Sequence, residues 1–561
     1  MGHIMQQWRM LELLRQFIAR LRASDATASP VAAPAQPASA ARAGALVPAG
    51  HAGDSEYRAI FDAGIAAFRA GRYEEAMGHF ERCVELRAED ADAHLNLGLS
   101  CHRLGRREDA ADSYALALAQ RPEFAEAWFN LGTLDLERGA YESAAVSLKR
   151  AVLLAPHHAP ALSNLGYVQF KYLGLPGEGE EHLRRAVRAQ PGFAAARLNL
   201  GMLLQDRGLL DEALSAYQQA LRREPDLTEA RLNRALIWLA RGDFARGWPQ
   251  YEARKGGSVH FTARGFRFPD WDGKPAPGRT VLVYGEQGLG DEIMFASCLP
   301  EVIARTGRCV IDCATKLERL FARSFPTAAV HGGSQNDSDH GWLAAVGPVD
   351  FQIAIGSLPG HFRRSAADFP AHGGYLKADP AAVETWRTRL AALGAGPKIG
   401  ISWRGGTVHT RSRLRSVELG ELLPVLRTRD ARFVSVQYGD CREEVARLHA
   451  EHGIAIEHWP DALADYDQTA ALVAALDLVL SVQTAVVHLA GALGRPAWVL
   501  VPAVPEWRYR VEGETMPWYP SVRLMRQSGA GGWQPAIERV ARELRERFPA
   551  PDSESDRSGA E

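Results

Sequence analysis

A pattern of small residues returns about every 34 residues between Tyr57 and Arg254. A typical copy holds a glycine in an apolar stretch, followed by alanines at fixed distances, and four copies end on a proline. The glycines are Gly98, Gly132, Gly166 and Gly201, with Gly64 and Ala235 in register; the alanines are Ala76, Ala110, Ala144 and Ala213, then Ala117, Ala151, Ala186 and Ala220; the prolines are Pro122, Pro156, Pro191 and Pro225. Small residues let two helices touch and proline ends a helix, so each copy predicts a helix pair.

This period and spacing are those of the tetratricopeptide (TPR) repeat. A single helix pair cannot bury its apolar face alone, so we expect the pairs to stack over residues 55–255 into an α-solenoid, a TPR superhelix with a concave groove. Grooves of this kind hold peptides. The repeats therefore predict a protein partner.

One polar residue recurs two positions before each glycine or its substitute: Asn96, Asn130, Asn164, Asn199 and Asn233. We expect these amides to form a ladder along the groove, where each could donate to and accept from the backbone of an extended peptide. The pattern resembles the asparagine ladder of the O-linked N-acetylglucosamine transferases, which also place TPRs before a glycosyltransferase domain. The alternative is that asparagine is simply common at this position and stays solvated.

Composition narrows the class of protein. The formal net charge of −2 gives no overall attraction to nucleic acid or membrane. Six cysteines without a CxxC pair fit reduced thiols in a cytoplasm. No stretch approaches the roughly 18 apolar residues of a membrane span, and charges interrupt the apolar N-terminal stretch, so it does not predict a signal peptide. We therefore expect a cytoplasmic protein.

The flanking segments have simpler patterns. Residues 1–23 predict an amphipathic helix, whose residues 5–22 could contact a membrane surface or a partner, or pack on the protein itself. Residues 24–54 are rich in Ala, Pro and Ser and predict a flexible linker. Residues 256–279 form a connector, and residues 549–561 a disordered tail.

From Thr280 the pattern changes to alternating strands and helices, which predicts a parallel α/β region. Its first part, 280–378, opens with a strand at 280–284, a glycine-rich turn and a helix. Gly288 and Gly290 would let backbone amides approach a ligand at that turn. A dinucleotide site is the alternative because Asp312 follows about 22 residues on, although the glycine spacing differs from the dinucleotide fingerprint.

The second part, 397–548, contains strands at 398–403, 476–481 and 497–502. The first strand is followed by Gly405, Gly406 and an arginine-rich loop with Arg404, Arg411 and Arg415, which predicts a phosphate cradle or else a solvated basic loop. Thr484 and His488 lie four residues apart at the start of a helix, so both could face one ligand; alternatively His488 only packs.

Two such lobes, joined near 378–397 with ligand loops at facing strand ends, describe the GT-B architecture of nucleotide-sugar transferases. The turn at 288–291 and the segment 481–496 resemble the heptosyltransferase family. Segments 285–297, 401–416 and 505–527 more closely resemble bacterial TPR-fused transferases, including flagellin glycosyltransferases. The resemblance implies a GT-B module of two Rossmann-like lobes after the solenoid.

The resemblance also implies roles. Transfer would be inverting and metal-independent, with Asp291 as base, Glu292 as fallback base, and Gly288, Gly290 and Glu292 in the acceptor loop. The nucleotide-sugar is a substrate, so no cofactor is expected, and the acceptor would be Ser or Thr of a protein such as flagellin. The implied donor-binding residues are Arg404, Gly405, Gly406, Arg411, Arg415, Gln483, Thr484 and His488.

One residue departs from the family. Heptosyltransferase-like sequences usually carry Asp at the position of Gln483, where the carboxylate contacts hydroxyls of the donor sugar. A neutral amide would tolerate an acidic sugar, so we hypothesise a CMP-linked nonulosonic acid as donor. The alternatives are a polysaccharide or lipopolysaccharide glycosyltransferase that uses its TPRs to recruit a partner, and a non-catalytic TPR adaptor.

Overall fold

The structure is a computed structural model that describes residues 55–256, 264–333, 339–406, 414–529 and 532–549. The chain divides into two compact units, residues 1–230 and 231–561. Three predicted features lie outside the described residues: the N-terminal helix with its linker, Arg411, and the tail from residue 550. Those predictions stay untested.

An α-solenoid of paired helices follows the 34-residue period, and the division between the two units falls inside its eleventh helix. The helices are α1 (Ser55–Arg69), α2 (Tyr73–Leu86), α3 (Ala91–Arg103), α4 (Arg107–Gln120), α5 (Ala125–Glu137), α6 (Tyr141–Leu154), α7 (Ala159–Lys171), α8 (Pro176–Ala189), α9 (Ala194–Asp206), α10 (Leu210–Arg223), α11 (Thr228–Arg241) and α12 (Phe244–Tyr251). The predicted TPR fold is confirmed.

The small residues act as the period predicts. A Cβ atom at Gly98 would lie 2.6 Å from the Tyr114 ring, and one at Gly201 would lie 2.5 Å from the Tyr217 ring. Only glycine therefore allows these helix pairs to approach so closely. Each closing proline stands two residues beyond its helix, as Pro122 does after α4.

A second periodic glycine, which our sequence analysis missed, makes the turn between the two helices of a pair. Gly71, Gly105, Gly139, Gly174, Gly208 and Gly242 all have φ between 70° and 78°. A side chain is strained in this left-handed conformation, so glycine favours the turn.

The asparagines differ from the expectation of an open ladder. Asn96, Asn130, Asn164 and Asn199 are fully buried, and Asn233 is half-buried. The Asn164 amide donates to Thr133 Oγ1 at 3.2 Å, and the Asn199 amide donates to Ser163 Oγ at 3.1 Å. These two bonds tie neighbouring repeats together. The role of the five asparagines as peptide ligands stays a prediction.

The second unit holds two sheets and the helices around them. The strands are β1 (Ala276–Tyr284), β2 (Thr306–Ala314), β3 (Ala329–Gly333), β4 (Phe351–Ala354), β5 (Lys398–Ser402), β6 (Arg432–Ser435), β7 (Ile456–Glu457), β8 (Leu478–Ser481), β9 (Ala497–Val501), β10 (Thr515–Met516) and β11 (Tyr519–Arg526). The helices are α13 (Leu289–Phe295), α14 (Leu299–Arg305), α15 (Glu318–Ser324), α16 (Leu343–Val346), α17 (Leu358–Phe362), α18 (Pro380–Ala391), α19 (Leu423–Leu426), α20 (Arg442–His452), α21 (Pro460–Ala464), α22 (Tyr466–Ala475), α23 (Ala485–Ala492) and α24 (Gln534–Arg547).

Both sheets reverse their strand order at an internal point. The first is parallel with order β3-β2-β1-β4, so it reverses between β1 and β4. The second has order β10-β11-β9-β8-β5-β6-β7, is parallel except for β10, and reverses between β8 and β5. The predicted α/β region with parallel sheets is confirmed. In open α/β sheets, ligands bind outside the carboxyl ends of the strands at such points.

Two further predictions concern the whole chain. Among the described residues, no helix combines the length and apolar character that a membrane crossing needs. All six cysteines are buried and none forms a disulfide.

Candidate functional site

The reversal point of the second sheet brings together two predicted donor-binding segments. Gly405 follows β5 and Gln483 follows β8, and these strands are direct neighbours. A Cβ atom at Gly405 would lie 3.0 Å from the carbonyl oxygens of both Arg415 and Gln483. Gly405 is therefore needed for close backbone packing at this point, while Gly406 is exposed with φ of 75°.

The Gln483 side chain has an unusual environment. It is 0% exposed, and neither its Oε1 nor its Nε2 finds a hydrogen-bond partner among the described residues. A buried amide without partners typically costs about 1–3 kcal/mol. Because open α/β sheets bind ligands at such reversal points, the unsatisfied Gln483 amide is a candidate ligand contact.

A second buried glutamine, Gln437, shows the opposite environment one strand away, just beyond β6. Its Oε1 accepts from Ser402 Oγ at 3.1 Å, Trp403 N at 3.0 Å and Arg404 N at 2.8 Å. Its Nε2 donates to the carbonyls of Arg404 and Tyr438 at 3.2 and 2.9 Å. Gln437 therefore fixes the loop that leaves β5. Sequence analysis missed it, since a lone glutamine carries no pattern.

Two arginines of the predicted cradle lie among the described residues, and both are engaged by protein groups. Arg404 donates to the Asp440 carbonyl at 2.7 Å and lies 3.3 Å from the Glu444 carboxylate. Arg415 donates to the Gln483 carbonyl and lies 3.6 Å from the Glu506 carboxylate. Arg415 thus remains beside Gln483, whereas Arg404 is drawn toward α20.

Thr484, which directly precedes α23, and His488, which lies in α23, have different partners. Thr484 Oγ1 lies 2.9 Å from Ser481 Oγ, while His488 is buried and its Nδ1 lies 3.2 Å from the Tyr519 hydroxyl. Burial, with the positive charges of Arg508 and Arg415, holds the pKa of His488 well below its usual range. His488 is therefore a neutral packing residue at neutral pH.

Asp291, the predicted base, follows β1 of the first sheet and contacts a loop of the second sheet. Gly290, in the first turn of α13, packs on α23: a Cβ there would lie 3.1 Å from the His488 ring. The neighbouring Asp291 accepts from Arg508 Nε at 3.0 Å and also from Arg508 Nη2. Arg508 in turn lies 3.7 Å from the Glu506 carboxylate. Asp291, Arg508, Glu506 and Arg415 thus form a continuous chain of charges that ends at the Gln483 carbonyl, and we call it the interlobe charge chain.

Arg508 links the two carboxylates of that chain, Asp291 and Glu506. Burial alone would lower the pKa of its guanidinium, but the Asp291 and Glu506 carboxylates outweigh burial and raise it. Sequence analysis noted segment 505–527 and assigned no role to Arg508 because its partner is 217 positions away.

Glu292, the predicted fallback base, belongs to the core. It is fully buried and accepts from Ala314 N at 2.9 Å, at the end of β2. A Cβ at Gly285 would lie 2.4 Å from its carboxyl carbon. Glu292 therefore fixes the turn that carries Asp291, which corrects its predicted place in the acceptor loop. Gly288 directly precedes α13 as its N-cap.

The reversal point of the first sheet is filled by protein. Glu286 follows β1 and pairs with Arg254 at 2.9 Å; both side chains are 0% exposed. Glu286 also accepts from Gly356 N at 3.1 Å, beyond β4, and Arg254 donates to Ser357 Oγ at 2.9 Å.

Asp312, the acidic residue of the alternative dinucleotide site, forms an ion pair with Arg264 at 2.6 Å. The alternative dinucleotide site therefore finds its crevice and its acidic residue already occupied.

Comparison with known proteins gives a family match for the repeats. The tetratricopeptide repeat family matches residues 61–123, 103–159, 168–213 and 199–254. Protein FlbA of Caulobacter vibrioides is 33% identical over 386 residues, which cover 64% of this chain. The chain spans 63% of the length of that relative. The covered share exceeds the length of either structural unit, so the similarity involves both.

Two solved structures resemble part of the chain. MamA is 25% identical and covers 29% of this chain and 94% of its own, with a TM-score of 0.27. PilF of Pseudomonas aeruginosa is 21% identical and covers 36% and 93%, with a TM-score of 0.33.

Proposed function

We propose that the protein is a glycosyltransferase that moves a sugar from a nucleotide-sugar donor to Ser or Thr of a protein acceptor. The observation that carries the proposal is the buried, unpartnered Gln483 amide at the reversal point of the second sheet, beside the interlobe charge chain. A nucleotide-sugar would supply both a phosphate for cations and polar sugar groups for the amide.

The chemistry needs one base. The acceptor hydroxyl oxygen would attack the anomeric carbon, its proton would pass to Asp291, and the bond from the anomeric carbon to the donor phosphate would break. The nucleotide would leave with the electron pair, and arginines would balance the charge on its phosphate. No step in this scheme requires a metal, and the GT-B architecture would supply the two lobes.

The repeats provide the acceptor side of the proposal. TPR repeats commonly bind peptides or proteins, and this chain carries them over residues 61–254, which supports a protein partner. A flagellin-like protein in the cytoplasm is the proposed partner. The similarity to FlbA involves both units, which is consistent with a shared combination of repeats and α/β region.

For the donor, we propose a CMP-linked nonulosonic acid. A carboxylate at position 483 would repel an acidic sugar, whereas the Gln483 amide can donate to it. Titration of the purified chain with CMP, UDP, GDP and ADP should show the tightest binding for CMP. Gln483→Asp should weaken the acidic CMP-sugar far more than CMP, and tighter binding of UDP or ADP would contradict this donor.

A non-catalytic adaptor is the second candidate, because the proposed base is already engaged by Arg508. Intact-mass measurement of proteins from wild-type and deletion cells distinguishes the candidates. A glycan that disappears from one protein in the deletion strain supports the proposed function. Loss confined to polysaccharide indicates the polysaccharide transferase, and unchanged glycans in both fractions indicate the adaptor.

A further inference from the structure

Arg508 joins two loops that belong to different sheets. Asp291 lies in α13, just after β1 of the first sheet, and Arg508 lies between β9 and β10 of the second. Two nitrogens of the guanidinium, Nε and Nη2, bond to Asp291 Oδ1, and Nη1 faces Glu506. Each of the two paired side chains is 17% exposed. The proposed base is thus held by a cation from the opposite sheet.

The charge balance around Gln483 limits what an anion can bind. Arg415 and Arg508 face Asp291 and Glu506, so the two positive charges are already matched by two carboxylates. An incoming phosphate that binds the paired nitrogens of Arg508 must therefore replace a carboxylate there. Glu506 is shared between both arginines, whereas Asp291 contacts only Arg508 among the ion pairs of the described residues.

The planar guanidinium fork accepts a carboxylate or a phosphate with similar geometry. We propose that Arg508 is a positioning residue that exchanges partners, holding Asp291 in the free protein and the donor phosphate in the complex. The exchange releases the Asp291 carboxylate when the donor is present. This inference rests on the proposed function, since it names the residue that couples donor binding to the base.

The exchange predicts that substitutions of Arg508 and of Asp291 change the affinity for CMP in opposite directions. Arg508→Gln removes a charged hydrogen-bond donor, so CMP should bind about tenfold or more weakly, while cytidine, which lacks the phosphate, should bind as before. Asp291→Asn removes the competing carboxylate, so CMP should bind about threefold more tightly. The tightening should vanish in the double variant.

Calorimetric titration of the full chain with CMP, UDP, GDP and ADP, and with the matching nucleosides, tests this. Arg442→Gln is a matched control because Arg442 is an exposed cation paired with Asp440 at the start of α20; it should leave every affinity unchanged. Arg508→Lys, which keeps the charge, should recover part of the loss.

The outcomes separate the inference from the proposed function. If the unaltered chain binds a nucleotide and Arg508→Gln leaves its affinity unchanged, the inference is overturned and the proposed site stands. The same holds if Asp291→Asn weakens nucleotide binding, because the pair would then only support the fold. If the unaltered chain binds none of the four nucleotides, both proposals fail.

Discussion

The two parallel sheets contain the same topological feature in two different states. At the reversal point of the first sheet, Glu286 and Arg254 fill the crevice with a fully bonded ion pair. At that of the second sheet, the Gln483 amide is buried without a partner among the described residues. The glycine-rich turn after β1, the stronger sequence signal, therefore marks the crevice that is closed. The polar group without a partner among the described residues, the Gln483 amide, lies in the other sheet.

The largest expected effect concerns the closed crevice. Removing one member of a buried ion pair leaves an uncompensated charge, so Arg254→Met should lower the free energy of unfolding by about 3–5 kcal/mol. Urea unfolding followed by tryptophan fluorescence measures this. Arg279→Met is the control because Arg279 forms a surface pair with Asp350 and should cost about 0–1 kcal/mol. Equal costs for the two variants would show that the Glu286 pair does not hold the first crevice.

The two buried glutamines of the second sheet provide the next contrast. Gln437→Leu removes five hydrogen bonds and should cost about 3 kcal/mol or more. Gln483→Leu removes a buried amide that has no such bonds, so the free protein should be unchanged or slightly more stable. The same urea experiment compares them. A large loss of stability from Gln483→Leu would mean that its amide supports the fold rather than a ligand.

The role of Asp291 extends the comparison to catalysis. Asp291→Asn preserves the shape and removes the base, so turnover should fall roughly 10²-fold with donor binding retained. A transfer assay under saturating donor gives the rate. Glu292→Gln should instead lower stability, since Glu292 is buried and bonded to Ala314 N. Normal turnover by the Asp291→Asn variant would contradict the proposed mechanism, in which Asp291 is the base.

The smallest expected effect concerns His488, which lies buried near the positive charges of Arg508 and Arg415. Because the pKa of His488 is held well below about 6.5, the unfolded chain takes up a proton there before the folded chain does. The stability due to neutral His488 is therefore present above pH 6.5 and is lost as the pH falls further. His488→Gln should reduce that loss by about 1 kcal/mol between pH 6.5 and 5.5. Identical pH profiles for both proteins would contradict the assigned environment.

Local patterns predicted the architecture well. The 34-residue period predicted the helix pairs, and apolar runs predicted β1, β5, β8 and β9, because these signals lie within a few consecutive residues. The glycines from Gly71 to Gly242 follow the same period but were not predicted, because their role depends on a positive φ that the sequence does not display.

The site was predicted only in part because its contacts join distant segments. Asp291, Gln483 and Arg415 do lie along one chain of charges and backbone contacts, as their placement at strand ends suggested. The partners that define their states, Arg508 and Gln437, have no local signal. Burial of the asparagines could not be read from their spacing either, because the period gives the face of a helix but not what covers it.

We propose that the second crevice, and not the first, binds the nucleotide-sugar. Hydrogen exchange of the full chain with and without saturating CMP tests it most directly, with Gln483→Leu measured in parallel. We expect added protection at residues 403–406 and 481–487, none at 285–288, and loss of that protection in Gln483→Leu. Protection centred on 285–288, or protection that Gln483→Leu leaves unchanged, would contradict it.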